Sequence, residues 1–128
     1  MSFSTVLCGV IINYLWGGLD IILNTLLFFM VTDYISGLIC GMVENKLSSK
    51  VGFRGLLKKI AILIIIAVGF RVDNIVNAQG SIRAMVISFY IALEGISILE
   101  NSARIGVPIP DKLKNMLIQI NDKGDIIE

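Results

Sequence analysis

Three long apolar runs are the feature that most constrains the fold of this 128-residue chain. They cover residues 19–43, 56–78 and 81–101, and each has about the 20 residues that a helix needs to cross a bilayer. With 55% hydrophobic residues and a mean hydropathy of +0.84, the chain holds more apolar surface than one small soluble core could bury. The sequence therefore predicts an all-α integral membrane protein, with three transmembrane helices in a single domain spanning residues 1–128.

An amphipathic helix is predicted before the first apolar run, at residues 1–16. Its apolar side chains recur at helical spacing, and Trp16 suits the headgroup level of a membrane. The segment is too short to span the bilayer, so we expect it to lie on the membrane or to enter it only partly. Residues 1–19 contain no Lys or Arg, unlike a secretory signal peptide, and we expect this segment to be retained.

A basic segment after the first run predicts the orientation of the chain. We expect residues 44–55 to form a cytoplasmic loop, because positive charge beside membrane helices is retained in the cytoplasm. Three spans then place the N-terminus outside and residues 106–128 inside, as a tail with a short helix capped by Asp111. The residues predicted to set topology or to meet lipid headgroups are Lys46, Lys50, Arg54, Lys58 and Lys59.

A polar stripe is predicted along the third span. At about 100° per residue, five side chains fall on one narrow face of the helix: Arg83, Tyr90, Glu94, Ser97 and Asn101. A carboxyl at a helix centre costs about 2.5 to 3.5 kcal/mol on insertion scales. Protonation, a partner in the same chain, or burial against other copies around water could each offset this cost. We expect the stripe to face an oligomer interface or a lumen; the alternative is an intrachain partner for Glu94.

The first span repeats this pattern. Asp33, Ser36, Gly37 and Cys40 share one helix face, and Gly37 forms a small-x-x-x-small pair with Gly41. Such pairs let membrane helices approach closely. We therefore expect Asp33, Ser36, Gly37 and Gly41 to contribute to helix association in the oligomer.

Several function classes are disfavoured by residue content. The chain has no histidine, which removes the commonest general base and the commonest metal ligand. Cys8 and Cys40 lie in apolar runs without metal-binding spacing. The near-balanced net charge of +1 does not suggest a nucleic-acid partner. We expect neither an enzyme nor a bound metal or cofactor.

Ordered segments along the chain carry a family resemblance. They are residues 16–20 (WGGLD), 33–37 (DYISG), 46–55 (KLSSKVGFRG) with Lys58 and Lys59, 94–101 (EGISILEN), and 106–110 (GVPIP) with Lys112 and Leu113. In this set the chain resembles the toxin-secretion and phage-lysis holins. The resemblance implies a non-enzymatic protein that assembles in the bacterial cytoplasmic membrane and opens large lesions. Carried over by position, the intramembrane polar residues of the family are Asp33, Ser36, Gly37, Glu94, Ser97 and Asn101.

The function predicted from the sequence is that of a holin. Copies would associate in the bilayer and form holes through which an endolysin, or a large toxin, passes as cargo. Lateral density would trigger opening, and membrane voltage could contribute, since moving one charge across the field is worth about 2.3 kcal/mol per 100 mV. Two alternatives stay open at this point: a subunit of a small selective channel or transporter, and an inhibitory partner that blocks holin assembly.

Overall fold

The computed structural model describes residues 2–125, with side chains placed for residues 2–121, and these residues form five helices. The helices are α1 (Phe3–Trp16), α2 (Ile21–Val43), α3 (Ser49–Val76), α4 (Ser81–Ile105) and α5 (Asp111–Asp125). The prediction of an all-α chain with a short N-terminal helix is confirmed. Of the described helices, α2 and α4 are long and apolar enough to cross a membrane by length and composition.

The first turn of the chain sits between α1 and α2. Helix α1 ends where Gly17 takes a left-handed conformation (φ 82°), which glycine adopts without steric cost. Helix α2 begins after Asp20, whose carboxylate accepts the backbone N–H of Leu23 at 3.2 Å and so caps the helix.

Helices α2 and α4 form the centre of the fold. Leu23, Leu26 and Met30 of α2 pack with Ile87 of α4 and Ile66 of α3 in one buried apolar cluster. The two helices run parallel, because their N-terminal ends are joined by an Arg83–Asp20 ion pair and their C-terminal ends by an Arg104–Glu44 ion pair. Helix α3 runs back between these two ends, so the three helices form an up-down-up bundle.

The basic segment differs from its prediction. Residues 44–55 were expected to be a loop, but α3 begins at Ser49. The Ser48 hydroxyl accepts the backbone N–H of Val51 at 3.2 Å and caps the helix there. The loop is therefore confined to residues 44–48, and α3 extends about two turns further toward its N-terminus than the predicted span 56–78. At its other end, Gly69 allows close contact with α4, since a Cβ on Gly69 would lie 3.1 Å from a methyl group of Val86.

The C-terminal part also differs from a simple tail. Residues 106–110 reverse the chain, and α5 returns along α4. Leu117 is buried, and its two δ-methyl groups would lie 3.0 Å from a Cβ on Gly95, which is near the middle of α4. Asp111, predicted to cap this helix, is its first residue. The sequence predicted this helix but did not indicate the surface on which it packs.

Much of the outer surface is apolar. Large hydrophobic side chains are exposed on each of the three bundle helices, among them Phe28, Val31 and Ile35 of α2, Ile64 and Val68 of α3, and Leu93 of α4. Soluble monomers rarely expose contiguous apolar surface on this scale. The outer surface of the bundle therefore suits contact with lipid or with other apolar helices.

Candidate functional site

A buried cluster of three charged side chains lies where the bundle helices meet. The Lys59 ammonium of α3 donates to Asp33 Oδ2 of α2 and to Glu94 Oε2 of α4, each at 2.7 Å. The three side chains are only 16%, 14% and 8% exposed for Lys59, Asp33 and Glu94 respectively. We call these residues the charged triad.

Two polar side chains extend the triad along the contact between α2 and α4. The Asn101 amide nitrogen donates to Asp33 Oδ1 at 3.2 Å and to the Ser36 hydroxyl at 3.0 Å. Ser36 in turn donates to the backbone carbonyl of Asp33 at 3.0 Å. The fold therefore brings together four of the predicted intramembrane polar residues: Asp33, Ser36, Glu94 and Asn101. Their hydrogen-bond partners belong to the same chain.

The charge of the triad follows from its composition. One ammonium balances one carboxylate, so the cluster is neutral only when the second carboxyl group carries a proton and is otherwise −1. Burying an unpaired ion is expensive in an apolar environment, whereas a well-bonded pair recovers much of that expense. Lys59 is therefore the residue on which burial of both acids depends.

The triad lies about midway along the bundle. At about 1.5 Å per residue, Asp33 is about 20 Å along α2 from Asp20, and Glu94 is about 16 Å along α4 from Arg83. The other ion pairs between α2 and α4 mark the two ends of the helices. The bundle thus has charged contacts at both ends and one charged cluster in its middle.

Arg83 organises the end of the bundle at the α1–α2 turn. Its guanidinium donates to both Asp20 carboxylate oxygens at 2.8 and 3.0 Å, to the carbonyl of Gly18 at 3.0 Å, and to the carbonyl of Trp16. The hydrogen bond from Arg83 holds the pKa of the half-exposed Asp20 carboxyl below its ordinary value. Arg83 was predicted to lie at an oligomer interface or lumen. In the single chain, its N–H groups donate to the α1–α2 turn.

Asp73 of α3 caps the start of α4. It is 4% exposed, and its carboxylate accepts the backbone N–H groups of Gly80, Ile82 and Arg83 at 2.8 to 3.0 Å. Gly80 precedes α4 and has no side chain with which to cap it, so Asp73 of α3 supplies the cap.

The remaining predicted residues lie outside the triad. Tyr90 packs against the apolar cluster, and Ser97 is half-buried. Gly37 and Gly41 line a crevice of about 200 Å³ between α2, α3 and the 44–48 loop, where Gly41 faces Leu47. Four of the five basic residues predicted to meet headgroups are exposed: Lys46, Lys50, Arg54 and Lys58.

Lys59 is the residue whose placement departs most from its prediction. It was expected at a headgroup, but its ammonium points into the bundle. The early start of α3 explains the difference, because nine helical residues lie between Ser49 and Lys59 and carry the lysine away from the helix end. Asp20 and Asp73 were not predicted as site residues. For Asp20, its place at the start of the first apolar run was the available signal, since Asp is a preferred N-cap.

Among the residues that the structure describes, no group of three Cys, Asp or Glu side chains is placed to hold a metal ion.

The chain is similar to one protein family and to several bacterial proteins. The model of the bacteriophage holin family matches residues 10–122. An uncharacterized protein of Listeria monocytogenes is 43% identical over 97% of this chain and 89% of its own length. An uncharacterized 14.9 kDa protein encoded in the nagH 3′ region of Clostridium perfringens is 42% identical over 96% of this chain and 94% of its own. The uncharacterized protein YtkC of Bacillus subtilis is 34% identical over 87% and 83%. No solved structure matches the chain.

Proposed function

Because the chain belongs to the bacteriophage holin family, we propose that it oligomerises in the bacterial cytoplasmic membrane and forms large, non-selective holes. This family is in general non-enzymatic. It is also the family that the ordered sequence segments resemble. The cargo of the holes would be an endolysin that degrades the cell wall or, in a related use, a large toxin.

Three membrane spans are part of this proposal. Helices α2 and α4 have the length and composition of spans, and their like ends are joined by ion pairs. If both cross the bilayer in the same direction, the connecting helix α3 has to cross it in the opposite one. Residues 60–70 of α3 are free of charge and include the exposed Ile64 and Val68, which supports its contact with lipid.

The proposed orientation rests on the basic side chains at one end of the bundle. Lys46, Lys50, Arg54 and Lys58 are all exposed on the 44–48 loop and the first turns of α3. By the positive-inside rule this end faces the cytoplasm. The N-terminus then lies outside, and the reversal at residues 106–110 lies at the cytoplasmic end.

The observation that carries the proposal is the charged triad inside an apolar bundle. A single subunit can enter the membrane because Lys59 lies between Asp33 and Glu94. In a hole, the same polar residues, with Ser36, Ser97 and Asn101, would exchange their intrachain partners for water or for a neighbouring subunit. Gly37 and Gly41 would then permit close approach of helices. For Arg83 and Tyr90 to take part, Arg83 would have to give up its bonds to the α1–α2 turn and Tyr90 its packing against the apolar cluster.

Controlled expression tests the proposal. The chain should be produced in a bacterium together with a cytoplasmic endolysin and a large cytoplasmic marker enzyme. We expect abrupt lysis, and without the endolysin we expect release of the marker into the periplasm with loss of membrane potential. Glu94→Gln should change the time of onset, because it alters the triad, whereas Glu100→Gln, an exposed acid on the same helix, should not.

Three results would contradict hole formation. Cells that keep their viability and membrane potential at high expression would argue against any lesion. Leakage of small ions with full retention of the marker enzyme would indicate a selective channel instead. Harmless expression that delays lysis by a second, active holin would indicate an inhibitory partner.

A further inference from the structure

A groove between α1 and α3 is separate from the charged triad and has no part in the proposed hole. It has a volume of about 600 Å³ and is open along its side. Helix α1 contributes Tyr14, Leu15 and Trp16, and α3 contributes an apolar wall that includes Leu63 and Ala67. Such a long apolar groove has the shape and chemistry to hold a hydrocarbon chain.

One charged side chain lies at an end of this groove. Arg71 is exposed, and among the described residues that line the groove it is the one that carries a charge. One of its nitrogens donates to the Tyr14 carbonyl at 3.1 Å, and its guanidinium carbon lies 4.1 Å from the centre of the Tyr14 ring. These two contacts hold the Arg71 side chain in place. Because a guanidinium has five N–H donors, Arg71 keeps donors that can bind a ligand.

The wall formed by α1 is also fixed. The Trp16 indole N–H donates to the Leu63 carbonyl at 2.9 Å, which holds the ring against α3. The Trp16 carbonyl accepts a hydrogen bond from Arg83, which ties the same residue to the α1–α2 turn. The groove is therefore a built feature of the fold rather than a gap beside a loose helix.

From this arrangement we propose that the groove between α1 and α3 binds an anionic phospholipid, with an acyl chain along the apolar wall and the headgroup phosphate on Arg71. The length supports this occupant, since residues 60 to 71 extend about 16 Å along α3 at about 1.5 Å per residue. The charge supports it as well, because Arg recognises phosphate through paired N–H donors. The lipid would lie in the leaflet that contains the turn between α3 and α4.

The position of Trp16 gives a direct measurement. It is the only tryptophan of the chain, so fluorescence reports on the groove alone. The full-length protein should be reconstituted in vesicles in which a fixed fraction of the lipid has brominated acyl chains, which quench tryptophan on contact. The brominated lipid is phosphatidylglycerol in one series and phosphatidylcholine in the other.

We expect phosphatidylglycerol to quench Trp16 with about fivefold higher relative affinity, the factor that one basic side chain near an anionic lipid surface typically contributes. Arg71→Gln should reduce the ratio to about one, and Arg71→Lys should keep most of it. Arg54→Gln removes an exposed arginine near the other end of α3 and should leave the ratio unchanged. Ala67→Phe should fill the groove and reduce quenching by both lipids.

The proposal fails on any of three results. Equal quenching of the wild-type protein by the two lipids would remove the role of the anionic headgroup. Protection of Trp16 from both lipids would mean that protein, such as a second copy of the chain, occupies the groove. A ratio that survives Arg71→Gln, in a variant whose helix content by circular dichroism equals that of the wild type, would assign the preference to another residue.

Discussion

Replacing Lys59 by methionine should destabilise the bundle more than any other single change in the charged triad. The substitution keeps most of the side-chain volume and removes the ammonium that both Asp33 and Glu94 contact at 2.7 Å. Two carboxyl groups with 14% and 8% exposed side chains would then lack their cation. Breaking a buried ion pair in this way costs about 3 to 5 kcal/mol. We expect a loss of that size in the free energy of unfolding.

Charge arithmetic predicts a different result for the acids. Glu94→Gln leaves Lys59 paired with Asp33, one cation with one anion, and the new amide oxygen can still accept a hydrogen bond. We expect it to cost about 1 kcal/mol. The triple variant Asp33→Asn, Lys59→Met, Glu94→Gln removes every charge of the triad, so it should regain most of the stability that Lys59→Met loses.

Unfolding in mixed micelles with increasing sodium dodecyl sulfate, followed by circular dichroism and Trp16 fluorescence, measures these differences. Lys58→Met is the matched control, because it removes the same charge from an exposed neighbour on the same helix and should stay within about 0.5 kcal/mol of the wild type. Equal effects of Lys59→Met and Lys58→Met would refute the reasoning. So would a Glu94→Gln variant as unstable as Lys59→Met.

Three further predictions concern contacts away from the triad. Arg83→Met should lower the free energy of unfolding by about 3 kcal/mol in the same titration. The loss should exceed that of Asp20→Asn, because Arg83 also donates to two carbonyls of the α1–α2 turn, and equal losses would contradict this. Asp73→Ala should cost about 1 to 2 kcal/mol and speed amide hydrogen exchange at residues 80–83, since it removes the cap of α4; unchanged exchange would exclude the cap. Gly95→Leu should displace α5 by collision with Leu117 and accelerate proteolysis within residues 106–110, and an unchanged cleavage rate would argue against the packing.

The sequence predicted which residues of α2 and α4 are polar but not what they contact. Helical periodicity places Asp33 and Glu94 on a face of their own helices, and the partner of a face depends on how helices pack. The expected oligomer interface and the intrachain partner were both compatible with that pattern. In the single chain, Lys59 and Asn101 are the partners. The interface in an oligomer stays a prediction.

The position of Lys59 depends on where α3 begins. With a span starting at 56, a lysine at 59 lies within a turn of the helix end and is expected to extend toward the headgroups. The Ser48 cap moves the helix start to Ser49, and the same lysine then faces the acids of two other helices. The start of a helix is set in part by capping hydrogen bonds, which hydropathy does not detect. The return of α5 was missed for a related reason, since an amphipathic pattern identifies an apolar side without identifying the surface that covers it.

The structure of the single subunit constrains how a hole could form. A water-filled lumen needs a polar wall, yet the outer surfaces of α2 and α3 expose Phe28, Ile35 and Ile64. Rigid subunits would keep the charged triad enclosed, and a lumen between them would be lined by these apolar outer surfaces. If the chain forms holes as proposed, α2, α3 and α4 would have to separate far enough to expose the triad. The contacts of Lys59 oppose that separation, so their strength would set the density of subunits at which the membrane opens.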